Sequence, residues 1–105
     1  MESKPTAVVT VLYPKKNMSG FDMDYYLNHH IATTKAAWNP HGMSSCTVCE
    51  VTDDDAEFTV VVVMAWKDLG AWEEAKNGEA AMKLAADVQN FTNVTPIMIA
   101  GKVAD

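Results

Sequence analysis

The chain has 105 residues, 49% hydrophobic and 21% charged, and carries a formal charge of −6 at pH 7. That length supports one domain, residues 1–105, with a real hydrophobic core, and not two. The acidic balance and the scattered lysines exclude a nucleic-acid backbone or an anionic membrane as the main partner, because either needs clustered Lys and Arg.

The opening "MESKPTAVVTVLYP" has no basic segment followed by a long apolar core, so no signal peptide is expected. No apolar run approaches the roughly 20 residues of a membrane span. A cytoplasmic location is the expectation. Within this opening, Thr6 to Pro14 is β-branched and apolar and stops at a proline, which predicts a strand. "KKNMSG" is a loop, after which Ser19 or Asp22 can cap a helix from about Met23 to Ala37, ended by "NPHG". Met23, Tyr26, Leu27, His30, Ile31, Thr34 and Trp38 recur at helical spacing and form one stripe. Asp24, Asn28 and Lys35 fall on the other side.

Met43 to Val51 predicts a second strand. It contains "CTVC", a redox spacing that normally opens a helix, whose N-terminus stabilises the thiolate. In a strand, positions i and i+3 point to opposite faces, so Cys46 and Cys49 are expected as separate packed thiols. After the acidic turn "TDDDAE", Phe58 to Trp66 gives a third strand. Asp68 caps a further helical region, which Gly78 is expected to break or bend. A loop, "NFTNVTP", leads to the final strand, "IMIAGKVA". The order βαββαβ predicts an α+β ferredoxin-like sandwich, a four-stranded antiparallel sheet with the helices on one face.

That topology raises a problem of coverage. An antiparallel sheet with one wet face should alternate apolar and polar residues, yet Val60 to Trp66 and Val8 to Tyr13 are apolar on nearly every position. Leaving the second face in water would expose an apolar patch of on the order of several hundred Å2, more than monomers usually tolerate. A second copy of the same surface is the simplest cover. A homodimer forming an α/β barrel is therefore expected; a monomer with a hydrophobic groove is the alternative.

The segment "FDMDYYLNHH" concentrates ionisable groups. Tyr26 and His30 are neighbours on the helix face that carries the apolar stripe, and inward-turned His and Tyr need hydrogen-bond partners or a ligand. Two readings fit. His30 is a buried histidine satisfied by Tyr26 or a backbone carbonyl, or it moves protons near neutrality beside a phenol that donates to a carbonyl or enolate oxygen. His29 lies roughly 100° round the helix and is expected to face solvent. His29, His30 and His41 do not have the spacing of a metal site, so no metal is expected. Nucleotide-binding and nucleophile-elbow motifs are absent from the sequence.

"VLYP", "FDMDYYLNHH" and "AMKLAADVQNFTNVTPIM", together with the chain length, resemble the EthD-domain family of the dimeric α/β-barrel superfamily. The most specific parts are Tyr25-Tyr26-Leu27…His30 and Asn90-Phe91-Thr92…Pro96. The resemblance covers nearly the whole chain. It implies a homodimer with a pocket between the helices and the sheet of each subunit. It also implies a cofactor-independent enzyme of lyase or isomerase type, performing dehydration, decarboxylation, cyclisation or isomerisation on a small hydrophobic carbonyl or phenolic, polyketide-like compound. His30 and Tyr26 are the expected catalytic pair, and Tyr25, Leu27, Trp38, Trp66 and Phe91 the expected substrate contacts. A non-catalytic binding or accessory protein for an oxygenase, and a haem- or metal-dependent oxygenase-like protein, are the alternatives.

Overall fold

Strands form where the β-branched runs lie. A computed structural model describes residues 4–105; residues 1–3 of the amino-terminal stretch lie outside them. The strands are β1 (Ala7–Pro14), β2 (Met43–Glu50), β3 (Phe58–Trp66) and β4 (Ile97–Lys102). They make one sheet in the order β2-β3-β1-β4, with every neighbouring pair antiparallel. This is the expected ferredoxin-like topology.

The helices follow their capping signals. Asp22 accepts from the Tyr25 amide at 3.0 Å and starts α1 (Met23–Tyr25). A π-helical segment, Tyr26–Ile31, continues directly into α2 (Ala32–Trp38), and a short 3-10 turn, Asn39–His41, ends it. Gly42 then turns the chain at φ +121°, a conformation that favours glycine. A Cβ there would also press on the Lys67 side chain at 3.0 Å. Asp68 caps α3 (Leu69–Lys76), and the break at Gly78 separates it from α4 (Glu79–Asp87).

Register decides what each face of the sheet carries. Ala7, Val9, Val11 and Tyr13 of β1 stand beside Trp66, Met64, Val62 and Val60 of β3, and all eight are buried under the helices. Two aromatic groups organise this layer. Tyr13, Phe21, Tyr26 and Phe91 meet mostly edge to face, with centroids 4.7–5.8 Å apart, the arrangement that ring quadrupoles favour. Trp38, Trp66 and Trp72 form a triangle with centroid separations of 5.5–5.6 Å.

The opposite face has no such cover. Thr10 stands beside Val63 and Ile99, and Leu12 beside Val61 and Ile97. Val63, Ile97 and Ile99 are exposed. No residue of the strands on that face carries a formal charge. Cys49 pairs with Val61 on it, whereas Cys46 pairs with Met64 on the helix side. Both thiols are free, as their strand positions require, but only Cys46 is packed as expected; Cys49, on the uncovered face, is exposed. No helix of the described residues is long and apolar enough to cross a membrane.

Candidate active site

The stretch that gathers the ionisable groups departs from α-helical winding. A π-helix closes i→i+5 hydrogen bonds, so each turn holds more residues than the 3.6 of an α-helix. Across Tyr26–Ile31 the inward side therefore holds Tyr26, His30 and Ile31. Leu27, which α-spacing places in the stripe, is rotated outward and 45% exposed. Thr34 donates its hydroxyl to the His30 carbonyl at 2.8 Å, satisfying a backbone acceptor where the winding changes.

Between this helix, α3, α4 and the sheet lies a cavity of about 380 Å3, within the range of small-molecule sites. Tyr26, His30 and Trp38 form its helical wall, Trp72 and Leu84 face them, and Val11, Val62 and Met64 make its floor.

His30 is buried and held by a partner from the far end of the chain. Its Nδ1 meets Asp87 Oδ2 at 2.9 Å, across 57 residues of sequence. The other carboxylate oxygen of Asp87 accepts from the Tyr25 hydroxyl at 2.6 Å and from Asn90 Nδ2 at 3.0 Å. Nε2 of His30 has no hydrogen-bond partner among the described residues. Because Asp87 is acceptor-only when ionised, the pairing puts the imidazole proton on Nδ1 and leaves Nε2 with a free lone pair.

The electrostatics agree with that assignment. Burial pushes the His30 pKa below its ordinary value, and the Asp87 hydrogen bond only partly opposes this. His30 is therefore predominantly neutral at pH 7. Burial disfavours ionisation of Asp87, but hydrogen bonds from Tyr25, Asn90 and His30, with the His30 charge when protonated, outweigh it and bring its pKa to about 2. Burial raises Tyr13 to about 12 and lifts Tyr26 further, so both phenols remain protonated donors. The hydrogen bond to Asp87 likewise raises Tyr25.

Both pKa shifts of the pair have the same consequence for stability. A pKa lower in the folded state means that unfolding takes up a proton on acidification. The His30 contribution is fully present above about pH 6.5 and is lost as pH falls through its lowered value. That of Asp87 is lost later, as pH falls from the ordinary carboxylate range toward about 2. Thermal unfolding followed between pH 7 and pH 2 is expected to show both losses, and Asp87→Asn should remove the later one.

Of the residues expected from the sequence, Tyr26, His30 and Trp38 line the cavity. Tyr26 and His30 are stacked, with centroids 5.2 Å apart and planes 14° from parallel; the hydrogen bond to the imidazole comes from Asp87 instead. Tyr25 stands behind the site on Asp87. Phe91 packs against His30 at 4.8 Å without lining the cavity. Trp66 is fully buried behind Trp38 and Trp72 and does not line the cavity, with its indole N–H unpaired among the described residues. Leu27 is outside.

Asp87 is the residue that sequence reasoning missed. One signal was available: it is an acid at the C-terminal end of a helix, where the macrodipole disfavours negative charge. His29 is exposed, as expected. No group of three His, Cys, Asp or Glu among the described residues is placed to hold a metal ion.

No family model matches the chain, and no curated protein matches it by sequence. Solved structures match it by shape. An EthD-like protein from Ralstonia eutropha JMP134 superposes with a TM-score of 0.79 at 19% identity, covering 98% of this chain and 96% of that one. A mutant form of SnoaB, a cofactor-independent oxygenase from Streptomyces nogalater, gives 0.66 at 13% identity, with 98% and 96% covered. A hydroxynitrile lyase from Passiflora edulis gives 0.68 at 11% identity, with 96% of each chain covered. In topology and in structural likeness, the chain has the ferredoxin-like fold of the EthD-like proteins.

Proposed function

We propose that the chain is a cofactor-independent enzyme of lyase or isomerase type, in which His30 transfers protons on a small hydrophobic carbonyl or phenolic compound and a second copy closes the open sheet face. The observation that carries this reading is an imidazole tied to a carboxylate through Nδ1, with its other nitrogen unpartnered, in the wall of an apolar cavity. General acid–base catalysis needs such a group, with a pKa near the working pH.

In a dehydration, Nε2 takes a proton from the carbon next to the substrate carbonyl. The C–H electron pair passes first into the enolate; as the carbonyl re-forms, those electrons make the new C=C bond, the C–O bond of a β-hydroxyl breaks, and the imidazolium protonates the departing oxygen to give water. The neutral Tyr26 phenol supplies a donor for the enolate oxygen formed on the way. Isomerisation uses the same first step and returns the proton at a different atom. The neighbours of this fold that are named as enzymes, an oxygenase and a hydroxynitrile lyase, support small-molecule chemistry in such a chamber.

Incubation with a panel of β-hydroxy ketones, α-hydroxynitriles and polyphenols, followed by mass spectrometry of the products, tests the proposal. Conversion of at least one class is expected. Ligands that bind without conversion would instead make the chain a carrier or accessory protein.

Asp87→Asn gives a second test. The amide can donate to Nδ1 and so favours the wrong tautomer; turnover is expected to fall roughly tenfold to a hundredfold. Loss of the carboxylate also removes what holds the His30 pKa up, so the acid limb of the rate profile should move to lower pH. A merely structural role for Asp87 would leave that limb in place.

A further inference from the structure

The cavity wall is apolar nearly throughout, and among the described residues that line it a single side chain carries a formal charge, Lys76. It is the last residue of α3, beside the break that leads into α4. Its side chain is 43% exposed, which places it at the mouth. Thr95 and Met98 also line the cavity and are exposed.

The ammonium has an anionic partner, Glu73, at 2.9 Å, but the pair is one turn apart on the same helix and both side chains are largely in water. Exposed pairs of this kind contribute little, so a better-placed anion can displace Glu73. A chain of net charge −6 repels anionic ligands at long range. A local cation at the edge of a low-dielectric chamber offsets that repulsion for one ligand class.

We propose that Lys76 anchors an acidic group of the substrate: the cavity takes an apolar organic acid, with its carboxylate or other ionised oxygen at the mouth and its carbon skeleton directed toward His30. This rests on the cavity being the small-molecule site proposed above. The competing role for Lys76 is passive, its methylene stem covering apolar wall while the charge stays in water.

Calorimetric titration of the full chain at pH 8, where His30 is neutral, separates these roles. The probes are 2-naphthoate and 2-naphthamide, which share a skeleton and differ in charge. The unmodified protein is expected to bind the naphthoate at least tenfold more tightly than the amide, with the ratio falling as salt is raised. Lys76→Met should bring the ratio to about one while amide affinity stays within about twofold, and Lys76→Arg should keep the preference. Equal binding of both probes by the unmodified protein, or a preference that survives in Lys76→Met, overturns the anchor and leaves the cavity as a ligand site. Failure of both probes to bind overturns the anchor together with the reading of the cavity on which it rests.

Discussion

His30→Ala is expected to lower turnover at least a hundredfold while the protein stays folded. General acid–base catalysis by a positioned side chain contributes about 10²–10⁴ in rate, and no other imidazole lines the cavity. The fold should tolerate the change. Asp87 keeps hydrogen bonds from Tyr25 and Asn90, and its side chain is 16% exposed, so its charge is not stranded. The space left beside Tyr26 and Phe91 opens onto an existing cavity. Circular dichroism and ligand affinity serve as controls. Unchanged turnover would remove His30 from the mechanism, and collapse of the fold would show that its packing against Phe91 is what matters; His30→Gln, which retains bulk and a polar tip, separates the two. In the unmodified protein, the proposed activity should rise with pH through an inflection below 6.5, because the base form of His30 is the neutral one and burial lowers its pKa.

Val63→Glu is expected to break the proposed dimer into monomers. Val63 lies on the central strand β3, on the uncharged face, beside Thr10 of β1 and Thr47 of β2. In a twofold dimer closed through that face, one substitution places two carboxylates in the interface, unpaired and mutually repelling. A buried charge without a partner costs about 3–5 kcal/mol, so the dissociation constant should rise at least a thousandfold. Sedimentation equilibrium at micromolar concentration measures this. The isolated subunit should keep its helix-side core, because Val63 takes no part in it. If the unmodified chain sediments as a monomer, the open face is covered by something other than a second copy.

Much of the fold was legible because its signals are local. Pro14 ends β1, Asp22 and Asp68 start helices through their own side chains, and Gly78 separates α3 from α4. Each acts within a few residues, where the chain's covalent geometry restricts the choices. The two-sided apolar character of β1 and β3 was equally plain, since strand alternation is a fixed period of two.

The stripe from Met23 to Trp38 was legible only in part. A period of 3.6 applied throughout places Leu27 inside, and the π-helical segment moves it out. Hydrophobic spacing cannot distinguish a wider turn from two adjacent apolar residues, whereas packing of Tyr26 and His30 against Tyr13 and Phe91 selects one winding.

What residue order alone decided here is the sequence of elements and their caps; which face of β1 and β3 the helices bury was set by register and packing. The three-dimensional structure decided the site. His30 and Asp87 are 57 residues apart, and no periodicity spans such a gap. Only the packing of the end of α4 beside the π segment brings the Asp87 carboxylate to Nδ1 and singles out one histidine among three.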